Sequence, residues 1–133
     1  MILVDTAAFY ALLDRTDPSH PAALAAFEGL RAADATLVTH EYVLVETTAL
    51  VQRRLGMHAV RSLVDGLLPL VEVVWIDAAL HAEAREALLA AGSRDISLVD
   101  RTSFLVMRRL GIDQAFTFDS DFTAEGFEVL PAR

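Results

Sequence analysis

Four short apolar or β-branched runs punctuate this chain: MILV at 1–4, ATLVT at 35–39, LVEVVWI at 70–76 and QAFTF at 114–118. Helical patterns fill the intervals between them. This alternation constrains the fold more than any other feature of the sequence. Strands joined by helical crossovers lie parallel, and a parallel sheet is covered by helices on both faces. The expected fold class is therefore α/β, a three-layer α/β/α sandwich with a mainly parallel central sheet.

Residues 6–14 (TAAFYALLD) follow the first run directly and read as a helix. A turn at 17–21 leads into a second helix over about 22–33, with Pro21 well placed for its first turn. A long helix over 41–55 ends at Gly56, and another over 58–68 stops at Pro69. An alanine-rich helix over 77–91 is closed by Gly92, and a helix over 97–110 by Gly111. A short helix and a small strand at 127–130 complete the chain. No repeat, linker or low-complexity stretch divides it, so residues 1–133 are expected to form one domain, large enough for a core without disulfides or structural metal.

Composition removes whole classes of function. The absence of cysteine excludes disulfides, thiolate catalysis and thiolate zinc sites. All 11 basic residues are arginine, and without lysine there can be no P-loop, Schiff-base enzyme or phosphoacceptor receiver domain. The N-terminus has no basic region and meets Asp5 at once, and no apolar run reaches membrane-spanning length, so a cytoplasmic protein is expected. A net charge of −8 disfavours generic nucleic-acid binding, unless some carboxylates are gathered around divalent cations.

The acids carry the remaining information. Ligands of such sheets bind outside the carboxyl ends of the strands. Asp5 directly follows the first strand and Asp119 the fourth, so both enter one crevice if those strands are neighbours. Each has a structural alternative, Asp5 as a helix N-cap and Asp119 in a turn. Glu46 has Tyr42, Val43, Ala49 and Leu50 as helical neighbours, a face directed at the core, where a lone carboxylate is costly without a partner, with simple exposure at the rim as the alternative. Ser97 and Asp100 form an S-x-x-D capping pattern, yet Asp100 lies beside Ser103, Phe104 and Met107 while Arg101, Arg108 and Arg109 take the other flank. Glu41 suits the positive end of its helix, and Asp77 and Asp95 read as helix-start or loop acids. The four histidines have no metal-ligand spacing and read as caps or surface residues. Arg53, Arg54, Arg108 and Arg109 fit solvated helix faces, with a phosphate-binding rim as the alternative.

The order of these acids, with VDTAAFYALLD at 4–14, the Glu46 helix, SLVDRTSFLVMRRLGI at 97–112 and AFTFDSDFTAEGFEVL at 115–130, resembles the PIN-domain nucleases. The likeness runs from Met1 to about Leu130, and within the family it looks like a VapC-type toxin of a toxin–antitoxin pair. The resemblance implies an acidic quartet of Asp5, Glu46, Asp100 and Asp119. It places supporting hydroxyls at Thr6 and Thr117 and an outer acid at Asp121, ranked below Asp119. It further implies Mg²⁺ or Mn²⁺, a homodimer, and a small antitoxin whose tail blocks the acidic groove. On that basis Asp5, Asp100 and Asp119 are the expected metal ligands, Glu46 orients the attacking water, and RNA is the substrate. Two alternatives stand beside this endoribonuclease reading: a metal-dependent phosphohydrolase of small phosphate esters and a non-catalytic binding module. The haloacid-dehalogenase type is disfavoured, because residues 5–7 read Asp-Thr-Ala and not D-x-D.

Overall fold

The computed structural model describes residues 1–132. Along the chain it runs β1 (Ile2–Val4), α1 (Thr6–Leu13), α2 (His20–Ala32), β2 (Leu37–His40), α3 (Glu41–Leu55) and α4 (Met57–Ser62). It continues with β3 (Glu72–Val74), α5 (Ala78–Ala91), α6 (Leu98–Leu110), β4 (Gln114–Phe116), α7 (Asp121–Ala124) and β5 (Glu128–Leu130). The five strands form one sheet in the order β3-β2-β1-β4-β5, and every pairing is parallel. The strand order reverses between β1 and β4, which are direct neighbours, with Val4 opposite Phe116.

Side chains alternate across the pleat, so each face builds its own core. Ile2, Val4, Leu37 and Phe116 pack on one face with Ala8, Phe9 and Ala11 of α1 and Ala23 of α2. Leu3, Val38 and Ala115 pack on the other with Leu80 of α5, Phe104, Val106 and Met107 of α6, and Phe122 of α7. This is the expected three-layer arrangement.

Local chemistry sets the element ends. The Asp77 carboxylate accepts the Leu80 N–H at 2.8 Å to start α5, and Gly92 closes it at φ +61°, where a Cβ is disfavoured. Glu41 opens α3 and its carboxylate accepts the Ile76 N–H at 2.6 Å, tying that helix to the end of β3. The strands are shorter than the apolar runs predict. Residues 70–71 are drawn into a 3₁₀ turn around Pro69, and Thr117 leaves β4 because its hydroxyl bonds to the following turn. The helix expected over 58–68 is instead α4 followed by a wide π turn, Leu63–Leu67, in which the Leu68 N–H reaches back five residues to the Leu63 carbonyl. Gly66 weakens the helix there, and the Pro69 ring crowds the carbonyl four residues before it.

Candidate metal-binding active site

Parallel pairing carries β1 and β4 to the same end of the sheet, where the Asp5 N–H extends the ladder to the Phe116 carbonyl at 3.1 Å. Asp5 occupies the N-cap position of α1, and its carbonyl accepts the Ala8 and Phe9 N–H groups. Its carboxylate makes no cap bond and accepts the Thr117 hydroxyl at 2.9 Å. The Thr117 oxygen accepts the Asp119 N–H at 3.0 Å, and Asp119 Oδ1 accepts the Asp121 N–H at 2.9 Å. One chain of hydrogen bonds thus joins Asp5, Thr117, Asp119 and Asp121. It fixes the FDSD turn from within, as threonine and aspartate side chains do when they bond backbone two residues on.

Helix α6 brings the next acid. The Ser97 hydroxyl accepts the Asp100 N–H at 3.2 Å, so the capping interaction is present, and the Asp100 carboxylate is still directed at the other acids. Asp100, Asp119 and Asp121 are half-buried and each offers an oxygen such that all three oxygens lie within 4.8 Å of one another. Asp121 thus shares one group of oxygens with Asp100 and Asp119. Ser120, with φ −66° and ψ −15°, turns the chain into α7 and swings Asp121 back over Asp119. Asp5 lies behind this trio, 5% exposed and tied to Thr117.

The electrostatics are those of a crowded anionic site. Burial, then the Asp100 charge, pushes the Asp5 carboxyl up to about 7, against lowering by Thr117 and the Thr6 N–H. Burial, then Asp119, pushes Asp100 up to about 6, with Glu46 and Asp121 adding to it. Asp119 is the largest cause raising Asp121. Each acid would be easier to ionise with a cation among them.

Two expectations need correction. Glu46 does not face the core: α3 buries Val43, Thr47 and Val51, and Glu46 stands one position round the helix, exposed. A flank that touches apolar neighbours on one side reads as buried in a helical projection even when the sheet does not cover it. The Glu46 charge nevertheless acts on Asp100, and partial burial raises its own carboxyl. The Thr6 hydroxyl accepts the Thr47 hydroxyl at 3.0 Å, and the Thr6 backbone N–H favours ionised Asp5. Arg101 does not sit away from the acids, since its guanidinium lowers Asp121 and lies 4.0 Å from Glu125.

His40 is a participant the sequence did not single out. It is fully buried at the end of β2, caps α3 by accepting the Val43 N–H at 3.5 Å, and reaches Ser103 of α6 at 2.8 Å. The Ser103 hydroxyl donates to the Val99 carbonyl, so His40 Nε2–H is the donor to Ser103. Burial lowers this imidazole to about 4, which keeps it neutral. The helices bearing Glu46 and Asp100 are therefore locked together through a neutral histidine.

A parallel sheet with its ligand crevice at a strand-order reversal, walled by carboxylates, defines an α/β protein whose site can gather oxygen ligands for a divalent cation. The chain belongs to the PIN domain family, whose pattern matches residues 2–127. It is 41% identical over 134 residues to the 23S rRNA-specific endonuclease VapC20 of Mycobacterium tuberculosis, covering 98% of this chain and 99% of that protein. The crystal structure of M. tuberculosis VapC20, a sarcin–ricin loop cleaving toxin, superposes with a TM-score of 0.82 at 37% identity, over 96% of each chain. FitAcB from Neisseria gonorrhoeae shares the fold at a TM-score of 0.70 and 21% identity, covering 97% of this chain and 96% of that one.

Proposed function

We propose that this chain is a divalent-cation-dependent endoribonuclease, the toxin of a toxin–antitoxin pair, acting as one PIN domain on 23S ribosomal RNA. The observation that carries the reading is the convergence of Asp5, Asp100, Asp119 and Asp121 at the β1/β4 reversal, with three carboxylates within 4.8 Å. Near-full-length identity to a 23S rRNA-specific endonuclease supports the substrate class.

The donor set fits Mg²⁺ or Mn²⁺. It is all carboxylate oxygen and offers several ligands from different elements, and burial, then the charge of a neighbouring acid, raises the Asp5 and Asp100 carboxyls. Asp100, Asp119 and Asp121 would hold the cation, with Asp5 beside them. A bound cation supplies positive charge that lowers the pKa of a water and neutralises the phosphate. Glu46, exposed at the mouth, orients the attacking water and takes its proton. The water oxygen bonds to phosphorus, the bond to the 3′-oxygen breaks, that oxygen takes a proton from bulk water, and the products are a 5′-phosphate and a 3′-hydroxyl. Thr117 keeps Asp5 and the Asp119 turn in register throughout.

In the cell the protein works in the cytoplasm as a homodimer, and a small antitoxin covers the acids. No helix among the described residues is long and apolar enough to cross a membrane. A stem-loop of the 23S sarcin–ricin region and an unrelated stem-loop of equal length test the substrate reading. Cleavage of the first alone is expected; equal cleavage of both would refute ribosomal specificity.

The same acids give a pH prediction. From about pH 4 to 6 the folded, cation-free protein keeps protons on Asp5 and Asp100, raised from 3.8 to about 7 and about 6, that the unfolded chain has released. In that window the unfolded chain protonates His40, lowered from 6.5 to about 4 by burial, whereas the folded protein does not. Two acids outweigh one histidine, so stability in EDTA falls as pH rises, by about 1.4 kcal/mol per unit for one net proton. With excess Mn²⁺ the acids are ionised in the folded state and only the His40 contribution remains, so stability rises with pH. Urea midpoints between about pH 5 and 6 should slope in opposite directions in the two buffers. Parallel slopes would contradict cation binding by these acids.

A further inference from the structure

A second cavity, of about 240 Å³, opens in the groove between α1 and α3, and its walls include Tyr10, Asp17, Leu50, Arg54 and Phe118. It adjoins the acids. Phe118 immediately precedes Asp119, and Leu50 lies four residues, about 6 Å, beyond Glu46 along α3. The two helices are tied on the same side by the Thr47–Thr6 hydrogen bond of 3.0 Å.

The walls combine the two chemistries that single-stranded RNA needs. The Arg54 guanidinium lies over the Tyr10 ring, 5.6 Å from its centroid, and the Tyr10 hydroxyl donates to Asp14 at 2.8 Å, which holds the ring in place. An arginine fork is suited to phosphate oxygens, and aromatic faces accept any base. Asp17 faces the cavity with Oδ1 engaged by the Ser19 N–H at 2.8 Å. At about 240 Å³ the space is below the 300–1,000 Å³ typical of drug-sized ligands and suits a single ring system. In a chain of net charge −8, a guanidinium in the wall of this cavity gives the RNA backbone a point of attraction there.

We propose that this groove is a substrate subsite, where Arg54 takes an RNA phosphate neighbouring the scissile one and a nucleobase packs against Tyr10 and Phe118. The proposal rests on the ribonuclease reading and adds to it where the strand runs.

The test measures binding of a labelled sarcin–ricin stem-loop in Mg²⁺ at several salt concentrations, with Asp119→Asn as the common background to prevent cleavage. Arg54→Ala should weaken binding and reduce the slope of log K against log salt by about 0.7, one single-strand phosphate contact. Arg54→Lys should retain the slope. Arg53→Ala, which removes the same charge from the adjacent exposed position, should leave binding unchanged. Tyr10→Leu, which keeps an apolar side chain, should weaken binding about 5- to 100-fold without changing the slope. Identical slopes for Arg54→Ala and Arg53→Ala, in a protein whose wild type cleaves RNA, would overturn the subsite alone. No RNA binding in any variant and no cleavage by wild type would overturn the nuclease reading with it.

Discussion

Asp119→Asn is expected to lower RNA cleavage about 100-fold or more while leaving the fold intact. Asparagine keeps an oxygen in the place of Oδ1, which accepts the Asp121 N–H at 2.9 Å, so the turn into α7 is preserved. What it removes is a charge that bears on Asp5, Asp100 and Asp121 alike. In EDTA the variant should therefore melt no lower than wild type, and the relief of repulsion acts toward a higher melting temperature. Loss of activity with unchanged or increased stability separates a functional acid from a structural one. An Asp119→Asn protein that cleaves RNA like wild type would remove this residue from the mechanism.

The second large effect is on stability. Phe104 is 2% exposed, meets Phe122 edge-on at 5.0 Å and stacks near Phe127 at 5.9 Å. Phe104→Ala should cost about 3–5 kcal/mol, a large share of the roughly 5–15 kcal/mol that holds a typical domain together. The damage should reach the active site, because Phe104 lies one helical turn beyond Asp100 and Phe122 directly follows Asp121. Phe122→Leu, which retains most of the packing, should cost far less. Urea unfolding of the two variants reads the difference, and a Phe104→Ala penalty under about 1 kcal/mol would show that this cluster does not anchor α7.

The layer architecture was legible because the apolar runs and helical segments alternate without interruption, and Gly92 and Gly111 mark helix ends by a backbone requirement visible in sequence. Asp5 and Asp119 could be paired in advance only conditionally, since their meeting depends on β1 lying beside β4. The strand order reverses there, and no local pattern states it. The role of Asp121 is hard to read from sequence, because the D-x-D spacing of a turn and that of a shared site look alike until the Asp119–Asp121 bond is seen. Between the core and the rim position of Glu46 the sequence does not choose, because periodicity names a face without saying which part of it the sheet covers. His40 escaped notice for a different reason. Its partner Ser103 is 63 residues away, and a buried neutral histidine leaves no spacing signature.

Purified protein, freed of any antitoxin, is incubated with the sarcin–ricin stem-loop across a Mn²⁺ titration and in EDTA, and the fragment ends are mapped. Cleavage that rises with the cation, disappears in EDTA and leaves 5′-phosphate and 3′-hydroxyl ends is the predicted result. Cleavage that persists in EDTA, or that leaves 2′,3′-cyclic phosphate ends, would contradict a cation-dependent hydrolysis by Asp5, Asp100, Asp119 and Asp121.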